Sequence, residues 1–145
     1  MAVTDLQVAT LRAQLAGDLE EHRRLLAQFD AKWDGRAYVT LTNAAFVEAA
    51  DRKFNSDTTG DDIIEFIADV RSRSEKVRSA LDPGVAERVL LAAVGDSDVS
   101  DLDPAEVRRS QSILLNALIV DENLDGAGLG EFVATARGLA DRLLS

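Results

Sequence analysis

The sequence predicts an all-α protein, a single compact bundle of about six helices that forms one domain over residues 1–145. Apolar residues recur at spacings of three and four over long stretches, which is the period of a helix with one buried face. The chain has two prolines, and each follows an Asp in the order that begins a helix. Aromatic residues make up only 5% of the chain, so Ala and Leu are expected to fill most of the core.

Helix A is predicted over residues 5–29, with Thr4 as its N-cap. The single histidine, His22, lies on its apolar stripe and is expected to hydrogen-bond in or near the core rather than to act in catalysis. The stripe that should face inward consists of Val8, Leu11, Leu15, Leu19, His22, Leu26 and Phe29.

A connection is predicted over residues 30–36, with a turn at Asp34-Gly35, before helix B over residues 37–54. The connection contains the single tryptophan, Trp33. This residue is interpreted either as packing over the edge of the core or as an exposed anchor for a protein partner.

Helix C begins near Gly60, where Thr59 and Asp62 have the spacing of a capping box, and it ends in a polar, basic tail over residues 71–79. Its buried residues are expected to be Ile63, Ile64, Phe66, Ile67 and Val70.

The remaining helices are D from Pro83 to Val94, E from Pro104, and F, which runs to about Leu144. Residues 113–120 of helix E are apolar on every side, which predicts a central helix that is buried all round. Asn116 lies within this stretch, and a buried amide without a hydrogen-bond partner would cost about 1–3 kcal/mol.

Two polar stretches, residues 55–66 and 121–132, align without gaps and pair Gly60 with Gly126. Each begins with oxygen-bearing side chains at alternate positions and has Gly at position six, which resembles the opening of an EF-hand calcium loop. The resemblance covers these two loops only, and the Glu required at position twelve stands at position eleven. The candidate metal ligands are Asp121, Asn123, Asp125 and Glu131 in one loop, and Asn55, Asp57 and Glu65 in the other. The alternative interpretation is that these residues form turns and helix caps.

The same alignment suggests an internal pseudo-repeat of two three-helix halves, roughly residues 14–79 and 80–145. Helix E would then correspond to helix B, and helix F to helix C.

Charge and composition limit the functions that the chain can have. The formal net charge of −10 argues against binding to nucleic acid or to an anionic membrane, and it allows a basic protein partner. The sequence has neither a signal-peptide pattern nor a membrane-spanning apolar run, so a cytoplasmic location is expected. Because the chain has one His and no Cys, most pairs of nucleophile and base are excluded. No catalytic residue and no cofactor is therefore predicted.

Three functions remain, in order of preference. The first is a non-enzymatic interaction or regulatory module that meets a basic protein through acidic loops, with Trp33, Asp96, Asp98 and Asp101 as candidate contacts. The second is a calcium-binding protein that uses the two EF-hand-like loops. The third is an enzyme with carboxylate chemistry that holds Mg²⁺ at the loop of residues 96–103.

Overall fold

The computed structural model describes residues 1–95 and 97–145, with the side chains of residues 31 and 33 outside the description. This part of the chain is all-helical, which confirms the predicted class, and it forms eight helices instead of about six. The helices are α1 (Asp5–Leu15), α2 (Leu19–Leu26), α3 (Ala31–Lys53), α4 (Gly60–Ser72), α5 (Glu75–Ala80), α6 (Pro83–Val94), α7 (Pro104–Glu122) and α8 (Gly126–Leu144).

The chain divides into two compact units. The first comprises residues 1–48 and 119–145, and in it α1 packs against both α2 and α8. The second comprises residues 49–118, and in it α4 packs against α5 and α6. The single domain remains a prediction.

The predicted pseudo-repeat is not confirmed. Helices α3 and α7, which the repeat would pair, end at Lys53 and Glu122. The connections that follow them, residues 54–59 and 123–125, therefore differ in length although α4 and α8 both begin at the paired glycines.

Predicted helix A is two helices, because the chain reverses at Gly17. This residue has φ +80°, a conformation that costs little only for glycine. The amide of Asp18 donates to Ala13 O at 2.9 Å and that of Gly17 to Gln14 O at 3.1 Å, which is the Schellman pattern that ends α1. Asp18 then caps α2 by accepting from the amide of Glu21.

The break changes which residues of α2 are buried. Leu19 and Leu26, which the continuous stripe placed inside, are 54% and 38% exposed, and Leu25 is buried in their place. Spacings of three and four residues identify one helix face only within a continuous helix. The turn interrupts this spacing, so the stripe of α1 does not continue into α2. The Nδ1 atom of His22 lies 2.9 Å from Thr10 O, which confirms the expected local hydrogen bond.

Side chains at the helix ends hold the first unit together. Arg12 donates to Gly126 O at 2.8 Å, and a Cβ atom added at Gly130 would lie 3.3 Å from its guanidinium. Arg137 donates to Asp5 and to Val3 O, both at 2.8 Å. Gly130 on α8 therefore leaves space for the guanidinium of Arg12.

Helix α3 begins at Ala31, so the connection predicted over residues 30–36 is mostly helical. Asp30 accepts from the amide of Lys32 at 3.0 Å, and Asp34 accepts from the amide of Asp30 at 2.7 Å. Asp30 thus accepts from one of the first amides of the helix, and Asp34 accepts from the residue before the helix. The Asp34-Gly35 pair lies within the first turns of α3 and does not form a turn of its own.

The tail predicted for helix C is a separate helix, α5, with Ser74 as its N-cap. Arg71 binds the C-terminal end of α5. Its Nε donates to Leu81 O at 2.9 Å, and its Nη2 donates to Arg78 O at 3.3 Å. Arg73 pairs with Asp69 at 2.7 Å. Two of the basic residues in this tail, Arg71 and Arg73, thus have intramolecular partners.

Helix α7 is not buried all round, contrary to the prediction. Asn116 is exposed and Val120 is 67% exposed, whereas the buried side is formed by Leu114, Leu115, Ala117, Leu118 and Ile119. A helix segment that is apolar on every side does not show which side faces the core. The elements that pack against it decide which side is buried.

Candidate functional site

In the first EF-hand-like loop, the side chains of Asn55, Thr58, Thr59 and Asp62 hydrogen-bond to nearby backbone amides. Asn55 Oδ1 accepts from the amide of Asp57 at 2.8 Å, and Thr58 accepts from the amide of Asn55 at 2.9 Å. Thr59 and Asp62 exchange hydrogen bonds of 3.2 and 2.9 Å with each other's amides, which confirms the predicted capping box.

In the second loop, Asp121 lies on α7 and Asn123 has φ +51°, a left-handed conformation past the end of that helix. Asp125 caps α8 by accepting from the amide of Gly128 at 2.6 Å. Glu131 is exposed on α8, as Glu65 is on α4.

Both helices begin at the glycine in position six of the motif. An EF-hand loop continues through position twelve and wraps its ligands around the cation. Here positions six to twelve are helical, so the structure supports the interpretation of these residues as turns and caps. Among the described residues, no group of three or more His, Asp or Glu side chains has the arrangement that holds a metal ion.

The acidic loop after α6 is organised by Arg88, a residue that sequence reasoning missed. Arg88 donates to both carboxylate oxygens of Asp101, at 2.7 and 2.6 Å, and to Asp98 O at 2.6 Å. This ion pair lowers the pKa of Asp101 and raises that of Arg88. Hydrogen bonds from the hydroxyl and amide of Ser100 lower the pKa of Asp98. Both candidate contact residues therefore have partners within the chain: Ser100 for Asp98, and Arg88 of α6 for Asp101.

Two other candidate contacts fall outside the described residues. These are Asp96 and the side chain of Trp33.

An apolar groove lies between α4 and α6 within the second unit. Its volume is about 210 Å³, and its lining consists of Ile64, Ile67, Ala68 and Arg71 from α4 and Pro83, Gly84 and Glu87 from α6. Ile64 is 49% exposed, which corrects the prediction that it is buried. The buried stripe of α4 is Ile63, Phe66, Ile67 and Val70, and it is complete without Ile64. A strict helical period would have found this residue outside the core.

One carboxylate lines the groove, and two more lie near it on α4. Asp61 and Glu65 lie on α4 within one turn of Ile64, and Glu87 lies on α6. None of the three side chains has a hydrogen bond or ion pair with the described part of the chain. By contrast, Asp62 completes the capping box of α4 and Asp69 pairs with Arg73. Two acidic residues of α4, Asp62 and Asp69, thus have partners within the chain, whereas Asp61 and Glu65, which lie beside Ile64, are unpaired.

Comparison of the chain with models of protein families, with curated proteins and with solved structures finds no significant match. None of the helices in residues 1–95 and 97–145 combines the length and the hydropathy that a membrane crossing requires.

Proposed function

We propose that this protein is a non-enzymatic interaction module that binds a basic protein partner through the surface formed by α4 and α6. The observation that carries the proposal is the half-exposed Ile64 beside an apolar groove, with the unpaired carboxylates of Asp61, Glu65 and Glu87 around it. The centre of this surface is apolar and its rim is charged, which is the arrangement of protein–protein interfaces.

The size of the groove favours a protein over a small molecule as its ligand. Its volume of about 210 Å³ is below the roughly 300–1,000 Å³ of typical small-molecule sites. An open apolar pocket of this size suits a single anchor side chain from a partner protein.

The charge of the chain favours a basic partner. A protein with a formal net charge of −10 attracts cationic surfaces, and unpaired carboxylates at the rim speed the encounter. This attraction is screened beyond about 8 Å at physiological ionic strength, so binding should weaken as salt is added. The cytoplasmic location of such an encounter remains a prediction.

A pull-down with matched charge variants tests the proposal. The variant Asp61→Asn/Glu65→Gln removes two carboxylates beside the groove, and the control Glu20→Gln/Glu131→Gln removes two from equivalent positions on α2 and α8. Wild type and control should retain the same basic proteins, and these proteins should be lost with the groove variant and at high ionic strength. Retention that depends on neither salt nor the groove carboxylates would refute the proposal.

A further inference from the structure

We infer that the α4–α6 groove receives one large apolar side chain from a segment that carries Lys or Arg within about one helical turn of it. This inference rests on the proposed function, since it names the kind of segment that the same surface binds.

The dimensions and lining of the groove indicate an apolar anchor. Its volume of about 210 Å³ is small for a drug-sized ligand and suits a single anchor side chain. The uncharged lining side chains are Ile64, Ile67, Ala68 and Pro83, none of which carries a hydrogen-bonding group. Water in contact with these groups has few partners, so an apolar side chain gains by displacing it.

The charged groups around the groove favour cations in the bound segment. Arg71 also lines the groove, but its guanidinium already donates to Leu81 O and Arg78 O and holds the end of α5. Glu87 lines the groove, and Asp61 and Glu65 lie on α4 within one turn of Ile64. None of these three carboxylates has a partner within the described chain. Cationic side chains on either side of the apolar anchor would therefore each meet a carboxylate.

Charge argues against a second copy of this chain as the occupant of the groove. Each copy carries a formal net charge of −10, so that bringing a second copy to an acidic rim adds repulsion. Amphipathic segments that enter grooves between helices present apolar anchors at helical spacing, and a basic polar face on such a segment complements this rim.

Selection from a displayed library of random peptides on the wild-type chain tests the inference. The enriched peptides should share a large apolar residue with Lys or Arg within four positions of it. A synthetic peptide of the enriched sequence is then titrated against wild type and four variants by fluorescence anisotropy. The variants are Ile64→Ser, Val39→Ser, Asp61→Asn/Glu65→Gln and Glu20→Gln/Glu131→Gln.

The two Ser variants separate the groove from general surface effects, because Ile64 and Val39 are 49% and 50% exposed. Both substitutions lie at exposed positions, so the fold should survive them, which circular dichroism checks. Ile64→Ser should weaken binding by at least ~10-fold, because it removes the apolar lining that the anchor contacts, and Val39→Ser should leave it unchanged. The groove charge variant should weaken binding and flatten its salt dependence, whereas its control should not.

The outcomes separate this inference from the proposed function. A basic peptide that binds in a salt-dependent way but equally well to Ile64→Ser would overturn the groove assignment and leave the interaction function standing. Enriched peptides that lack Lys and Arg and bind equally well at low and high salt would overturn both the inference and the proposed function. A selection that yields no shared sequence would also overturn both. Self-association of the wild type that Ile64→Ser abolishes would assign the groove to a second copy and also overturn the inference.

Discussion

Replacing Gly17 with Ala should destabilise this protein, although Ala has the higher helix propensity. Gly17 has φ +80° at the reversal between α1 and α2. A Cβ atom added there would meet no other atom within 4 Å, so the effect comes from the backbone conformation alone. An L-residue in the left-handed region costs about 1–2 kcal/mol.

The sign of the effect distinguishes two helices from one. If residues 5–29 formed a continuous helix, Gly17→Ala would raise the free energy of unfolding by about 0.8–1 kcal/mol. With the reversal at Gly17, the same change should lower it by about 1–2 kcal/mol. The two arrangements therefore differ by about 2–3 kcal/mol in the expected result. For a chain of this size, 1 kcal/mol shifts the Tm by roughly 2–4 °C.

Thermal and urea unfolding of three variants provide the assay. Gly138→Ala is the matched control, because Gly138 lies in the interior of α8 and an added Cβ would also meet nothing within 4 Å. It should stabilise the protein by about 1 kcal/mol. Gly17→Asn should cost less than Gly17→Ala, since Asn tolerates the left-handed region. Stabilisation by Gly17→Ala to the same extent as by Gly138→Ala would refute the break between α1 and α2.

Three further predictions concern single side chains. Asp125→Ala should lower the stability by about 1 kcal/mol, with or without added calcium, because the carboxylate caps α8; a loss seen only with calcium in the buffer would contradict this. Arg88 holds the pKa of Asp101 below its ordinary value of 3.8, so the pair stabilises the fold above that pH and its contribution is lost as the pH falls through the lowered pKa. Asp101→Asn should thus lower the Tm at neutral pH, and the gap to wild type should close in acid; a constant gap would rule out the pair as its cause. The hydroxyl of Tyr38 is buried without a hydrogen-bond partner among the described residues, and burial raises its pKa from 10.0 to about 12. Tyr38→Phe should therefore raise the free energy of unfolding by about 1 kcal/mol and remove the loss of stability between pH 10 and 12; unfolding that is the same in both proteins across this range would count against it.

The helix starts could be predicted from the sequence because each depends on residues that are close together. Thr4, Thr59 and Asp82 each accept from an amide three residues later, at the positions where caps were expected. A cap is complete within one turn of chain, so its residues alone are enough to place it. The candidate site was predicted less well. The acidity followed from composition, as did the expectation of a basic partner, but the groove beside Ile64 did not.

The all-helical class, the helix caps, the acidic charge and the lack of cysteine chemistry were determined by the sequence itself, since each depends on composition or on residues within four positions. The reversal at Gly17, the pairing of Arg88 with Asp101 and the groove between α4 and α6 were decided by the tertiary structure. A glycine within a helical pattern is compatible with both a continuous helix and a break, and the packing of α2 against α1 selects the break. Contacts between residues far apart in the chain depend on how helices pack, and local periodicity holds no information about them.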